Sequence, residues 1–419
     1  MRCDATWRGS AVPGNPGSLT TLFLAALLAA DPKLPAWLDL GAELRGRVEG
    51  ATGQDFLALE DAYYLHRVRL NATLIVRPWL RVFAQAQDSH APGFRSPKPA
   101  SVVNTFDLRQ AYVEARGPGK EYWGVRAGRQ EMAFGAERLI GFGNWGNVSR
   151  SFDGVRVFRE TETMRADWFA TTPVVVNRDG FDRFRRATQL HGFHSAWRSW
   201  IPRGTAEAYL YWKREAGLDL ITPGVRLTGQ LPRDLDYSAE TALQAGERNR
   251  RAWAANFGIG YTARALPAEP RLFTHYSHAS GDRDPLDGRI RTFDNLYPTN
   301  HQHYGLADRV GWRNMHESAG GAQWKPGKRW RLNTVYHSFW LAARGDFFYR
   351  ENGTPLVRNP AARSAHIGHE VDVFAVFTWN AHAQLYFGLS HLFPGGFLKD
   401  SGRGASATHP YAMWRYTLD

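Results

Sequence analysis

Cysteine is almost missing from this chain of 419 residues: Cys3 stands alone. Beyond residue 3 there is no thiol to act as nucleophile and no material for a disulfide framework. No later segment has eighteen consecutive apolar residues, which excludes an inner-membrane transporter built from helical spans. A Gly-x-Ser-x-Gly elbow is also absent, and the carboxylate pairs fall among arginines that account for them. Lysine is scarce, at seven of 52 basic residues (33, 98, 120, 213, 325, 328 and 399). Finally, no linker, low-complexity tract or charge run divides the chain, so 31–419 is expected to be one domain.

What fills the chain is two-residue alternation. From Tyr64 to Val76, Val68, Leu70, Ala72, Leu74 and Val76 share one face, and Arg67, Arg69, Asn71 and Thr73 the other. Successive strand side chains point to opposite faces, so this segment separates an apolar surface from a basic one. After Arg77-Pro78-Trp79 the pattern resumes with Leu80, Val82, Ala84 and Ala86 against Arg81, Phe83, Gln85 and Gln87, a hairpin. Further segments near 37–48, 106–115, 122–130, 153–160, 164–171, 189–200, 205–214, 251–264, 271–279, 316–324, 330–341, 367–379, 383–392 and 410–418 bring the total to sixteen.

Connections alternate between short (77–79, 116–121, 161–163, 201–204, 265–270, 325–329, 380–382) and long (49–61, 87–105, 131–152, 172–188, 215–250, 280–315, 342–366, 393–409). One rim trimmed and the other elaborated, with both ends on the trimmed side, predicts an all-β fold: a transmembrane antiparallel barrel with short periplasmic turns and long extracellular loops. Trp37, Trp79, Trp123, Trp200, Trp212, Trp324, Trp330, Trp379 and Trp414 at strand ends suit a girdle at the membrane boundary. Residues 1–30 read as a secretory signal: Arg2 and Arg8 precede the apolar run Leu22 to Ala30. The expected location is the bacterial outer membrane.

Net charge is +12. In the cleanest strands the arginines fall opposite the apolar face: Arg45, Arg47, Arg67, Arg69, Arg81, Arg109, Arg126, Arg156, Arg165 and Arg331. A charge facing lipid at mid-membrane costs about 2–4 kcal/mol, so these point inward. Asp107, Asp167, Glu370 and Asp372 share that face. A low-dielectric wall lined mostly with one sign concentrates anions. The alternative is structural: arginines laddered with acids across a closed barrel. Dispersal at strand period speaks against nucleic acid.

The runs Leu108-Arg109-Gln110-Ala111-Tyr112-Val113, Arg126-Ala127-Gly128-Arg129-Gln130, Arg138-Leu139-Ile140-Gly141 with Asn144-Trp145, and Arg150-Ser151-Phe152-Asp153-Gly154-Val155-Arg156 resemble the bacterial alginate export porin family. So do Gly281-Asp282, Asp287-Gly288, Thr292-Phe293-Asp294, Leu296-Tyr297-Pro298-Thr299, His303-Tyr304-Gly305, Gly368-His369-Glu370-Val371-Asp372 and Gly388-Leu389-Ser390. The resemblance spans roughly 37–418. It implies an outer-membrane channel with an arginine-lined constriction that passes a polyuronate. Carried over, Arg109, Arg129, Arg138, Arg150 and Arg156 are the basic members of the shared motifs, and Asp153, Glu370 and Asp372 the acidic ones. The family's well-known exporter has eighteen strands, which sets the expected range at 16–18 and points to two more strands within 215–250 or 342–366. Terminal Asp419 departs from the usual final aromatic.

The expected function is conduction of an anionic polysaccharide such as alginate, with export favoured; the alternatives are uptake of small anionic solutes, or a closed receptor or adhesin barrel. Expected partners are that polymer or solute, outer-membrane lipid, the barrel-assembly machinery and periplasmic export components. No enzyme activity and no cofactor is expected. Asp282, Asp284 and Asp287 offer oxygen ligands at calcium-like spacing, though turn-forming Asp explains them as well. His275 with His278, His301 with His303, and His366 with His369-Glu370 lack a fourth metal ligand and read as loop histidines. Gly141 to Gly146 fits a dinucleotide fingerprint in spacing only, with no helix after it.

Overall fold

A computed structural model describes residues 34–94, 101–178 and 180–418; the expected signal peptide at 1–30, Cys3 and Asp419 lie outside the described residues. Eighteen long antiparallel strands form the wall: β1 Leu38–Thr52, β2 Glu60–Arg77, β3 Leu80–His90, β4 Asn104–Arg116, β5 Tyr122–Gln130, β6 Phe152–Glu160, β7 Met164–Val175, β8 Gln189–Trp197, β9 Gly204–Glu215, β10 Leu218–Leu231, β11 Leu235–Gly246, β12 Arg250–Thr262, β13 Arg271–Ala279, β14 Met315–Trp324, β15 Trp330–Trp340, β16 His366–Thr378, β17 Ala383–Pro394 and β18 Ala407–Leu418. Each pairs with the next, and β18 returns to β1, with Arg415 opposite Arg45 and Tyr411 opposite Glu49. Closure leaves no strand edge for lipid to desolvate. The two-residue strand Arg183–Phe184 adds only to the rim of β7.

The alternation predicted sixteen strands, and the two it missed are β10 and β11, inside the supposed loop 215–250. Thr222-Pro223-Gly224 reads as a turn in sequence, yet it lies within β10. Proline has no N–H to give. The β10–β11 ladder accordingly passes from Ile221 opposite Ala245 to Gly224 opposite Ala242, leaving out Thr222 and Pro223. That long connection is therefore corrected to tight turns at 216–217 and 247–249 on the outer rim and 232–234 on the periplasmic rim. Segment 342–366 contributes no wall strand, only a small hairpin of Phe348–Tyr349 with Pro355–Val357.

The outer surface carries the apolar parity: Val48, Phe106, Val113, Val125, Val155, Val225, Leu243, Phe257, Leu272, Val373 and Leu389 are all exposed. Such a band matches the hydrocarbon layer. Exposed Trp37, Trp79, Trp123, Trp200, Trp330 and Trp379 cluster at periplasmic strand ends or turns, where amphipathic rings meet the headgroups. Among the described residues no helix is long and apolar enough to cross a membrane. The strands do the crossing.

Candidate functional site

The inward face of β18, β1 and β2 holds three arginines in one row. Arg415 lies opposite Arg45, and Arg45 opposite Arg67. Like charges directly opposite each other destabilise a sheet, so this row needs acceptors. Glu43 takes Arg67 Nε at 3.0 Å. Arg415 donates to Gln384 Oε1 on β17, and the remaining acceptors come from the connection 131–151, which folds back into the lumen: Arg45 donates to the carbonyls of Asn144 (2.7 Å) and Gly146 (2.8 Å), and Arg67 to Asn144 Oδ1 (2.9 Å). Arg69 reaches Ser149 Oγ at 2.5 Å, and Arg47 the Trp145 carbonyl at 2.8 Å. Asn147 Nδ2 fastens the same loop to the His66, His90 and Val102 carbonyls. These four wall arginines are at most 5% exposed, because their guanidiniums hold a loop.

A second connection, 280–314, enters from the opposite wall. Leu306 N donates to Asp372 Oδ2 (3.0 Å) and Ala307 N to Glu370 Oε1 (2.9 Å) on β16. The two loops join through an Ile140–Tyr297 bridge, with Thr299 Oγ1 donating to Glu137 Oε2 at 2.6 Å. Arg150 cements the junction with bonds of 2.7 Å to the Gly141 and Tyr297 carbonyls, and burial lowers its pKa to about 10. Arg138 crosses to β11 and β12, to Asn256 Oδ1 at 3.0 Å and Glu240 at 3.5 Å. His303 Nε2 donates to the Ala136 carbonyl, and burial, then the charge of Arg138, hold its pKa well below the usual imidazole range.

Where the loops meet, the Trp145 indole stacks on His301, and the Arg47 guanidinium lies 3.7 Å from the Trp145 ring centre. His301 Nδ1 in turn pairs with Asp308 at 2.8 Å. Two cavities flank this stack. One of about 510 Å³ is bounded by Arg47, Glu49, Arg150, Asp308, Arg309 and Glu351. The other, of about 430 Å³, is bounded by Arg138, His275, His337, Asp372, Tyr386 and Tyr411. Trp145 and His301 line both, so the stacked pair stands between them.

The other arginines singled out in sequence fall into distinct places. Arg126, Arg156 and Arg165 face inward on β5 to β7 but are paired: Arg126 with Glu114 (2.5 Å), Arg156 with Asp167 (2.6 Å), and Arg165 with Glu160 (2.8 Å) and Asp167 (3.0 Å). Arg109 is the extra residue of a β-bulge, since Gln85 pairs with Gln110 and Ala86 with Leu108. The bulge turns Arg109 inward beside Glu131, 3.6 Å away, and Asp107 accepts from the Asp182 amide. Arg129 and Asp153 lie opposite each other on the outward parity, ion-paired at 2.9 Å, with Arg129 also capping the Asp182 carbonyl. They stitch the outer rim and do not face the lumen. Arg81 and Arg331 form no ion pair among the described residues.

Asp282, Asp284 and Asp287 spend their oxygens on the amides of Asp284, Arg291, Leu286 and Arg289 and on the Arg291 guanidinium. His275 and His278 point to opposite faces, and the His366 and His369 rings lie 4.3 Å apart with planes tilted by 51°. Sequence reasoning missed Arg415, although two-residue alternation along 410–418 makes its inward parity available. It also missed Trp145 as a lumenal residue; nothing local marks a loop that folds inward.

A family model described as alginate export matches residues 36–411. No curated protein matches the chain. Solved structures with the same fold include three from Pseudomonas aeruginosa: the outer membrane protein opdK (9% identity, TM-score 0.64, covering 91% of this chain and 98% of that one), OpdO (13%, 0.61, 91% and 97%) and OccD3 (10%, 0.61, 92% and 92%).

Proposed function

Because the chain belongs to the alginate export family, we propose that its outer-membrane channel carries an anionic polysaccharide such as alginate, outward, along the arginine-bearing wall of β18, β1 and β2. The observation that supports this reading most is the Arg415–Arg45–Arg67 row, in which Arg45 and Arg67 are met by loop carbonyls, Arg415 by the Gln384 amide oxygen, and the whole row by one carboxylate, Glu43. Carbonyl dipoles hold a guanidinium without neutralising it, so the wall keeps a positive potential. Displacing the 131–151 loop would expose Arg45, Arg47, Arg67 and Arg69 together, a series of weak sites for successive carboxylates. Arg81, Arg331 and Arg415 would receive the polymer at the periplasmic end. Outer-membrane lipid, the assembly machinery and periplasmic export components are the proposed partners.

A second reading, passage of small anionic solutes, draws support from the filled lumen: each cavity has room for a sugar unit or two, not a chain. Planar-bilayer recordings separate the two. Polyuronate added on the periplasmic side should block anion current in long events, and Arg415→Ala with Arg81→Ala should shorten them. Cation selectivity, or block by monomeric uronate as effective as by polymer, would overturn export of a polymer.

A further inference from the structure

We propose that β13, β14 and β15 build a site for one divalent transition-metal ion, held by His275 Nε2, His337 Nδ1 and the Glu317 carboxylate, with its remaining position open to the 430 Å³ cavity. The site follows from register. His275 and His337 both lie directly opposite Ala319, one on either side. The alanine methyl leaves room for two imidazoles to face each other above it, ring centres 6.3 Å apart and planes inclined by 65°. Glu317, two residues along the same inward face, reaches both rings: Oε2 is 3.3 Å from His275 Nε2, and Oε1 is 2.6 Å from His337 Nδ1.

Two further observations point to an ion. Glu317 is fully buried, yet the only polar contact of Oε2 among the described residues is the 3.3 Å approach of His275 Nε2, which is not an aligned hydrogen bond and leaves a lone pair that a cation between the two would engage. The far nitrogen of His337 faces Asp372 Oδ2 at 3.3 Å, and Asp372 is itself fixed by the Leu306 amide. That is the carboxylate–histidine–metal relay, in which an outer carboxylate sets the tautomer and makes the ligating nitrogen more basic. Ligands bound at about 2.0–2.1 Å in a tetrahedron sit about 3.3–3.4 Å apart, the spacing found between His275 and Glu317. The closer contact to His337 is a hydrogen bond whose proton the ion would displace. Two imidazole nitrogens and one carboxylate favour zinc and its neighbours over calcium or magnesium. The cavity, lined by His275, His337 and Asp372, supplies the entry path and the oxygen of a fourth ligand.

The test uses the full chain in detergent, stripped with chelator and titrated with Co²⁺, whose visible bands report tetrahedral nitrogen and oxygen ligation. One equivalent should bind, Zn²⁺ should displace it, and Mg²⁺ should not. His275→Ala and Glu317→Gln should each abolish the bands, while Asp372→Asn should weaken binding about 10–100-fold. His275→Gln serves if the alanine variant fails to migrate as a folded barrel. A second cluster, His66, Asp88 and His90, sits on the outer face, so His66→Ala is the control and should change nothing. Absence of binding, binding that survives loss of His275, or binding lost with His66 would each overturn the proposal.

Discussion

The Trp145 indole lies flat on the His301 imidazole, ring centres 3.7 Å apart and planes 6° from parallel. One residue belongs to the loop held by arginines, the other to the loop held by Glu370 and Asp372, so this stack is where the two loops meet, beside Arg47 of β1 and Tyr411 of β18. Stacking of this kind contributes about 1 kcal/mol. Trp145→Ala should raise the open-to-closed ratio about fivefold, measured as single-channel open probability. An unchanged open probability would mean that the loops are held by the wall contacts alone.

Arg67 is the most heavily bonded member of the arginine row, so Arg67→Met leaves Glu43 without its donor and the Asn144 amide oxygen with only the longer contacts from Arg69 and Ser149. Removing one partner of a buried pair costs about 3–5 kcal/mol. The urea midpoint of the variant should fall accordingly, and adding Glu43→Gln should restore part of the loss. If the double variant is no more stable than the single one, the pair is not the source of the effect.

Glu351, in the connection 341–365, is pushed up to about 7 by burial first and by the nearby Asp308 second. Its folded value lies above the ordinary 4.5, so the folded arrangement holds the proton more tightly. The contribution is fully present below about 4.5 and is lost as pH rises through about 7. The Glu351 carbonyl accepts from Asn300, so loosening reaches the 280–314 loop. Current noise should grow from pH 5 to pH 8 in the native channel and stay flat in Glu351→Gln.

Gly128 and Gly154 face each other across β5 and β6 with φ of +127° and +156°. A Cβ on Gly154 would sit 2.2 Å from the Ala170 carbonyl oxygen, and one on Gly128 2.3 Å from that of Ala111. Either alanine variant should lose about 1–3 kcal/mol, read from denaturant unfolding. An unshifted midpoint would show that the backbone relaxes at no cost.

Sequence parity located most of the wall. Leu44 against Arg45 and Val68 against Arg67 needed only alternation, because lipid on one side forces the choice. β10 and β11 escaped because Pro223-Gly224 imitates a turn and because the outward positions Ala239 and Thr241 are weakly apolar. The centre of the barrel was harder. Arg45 meets Gly146, 101 positions away, and no local pattern announces such a partner. Arg109 shows the same limit at short range: a one-residue bulge reverses parity beyond it, so Asp107 and Arg109 share a face with Gln110 only because the ladder slips.

The arginine row runs across the seam where the last strand meets the first. Arg415 arrives with β18, so the full triplet exists only once the cylinder shuts. A barrel that shut on an empty interior would bring three cations together with a single carboxylate beside them. One that shuts around the 131–151 loop finds acceptors for Arg45 and Arg67 already in place, while Arg415 meets Gln384 of β17. The seam and the loop are thereby coupled: closing β18 on β1 sets a third guanidinium beside the two that the loop satisfies.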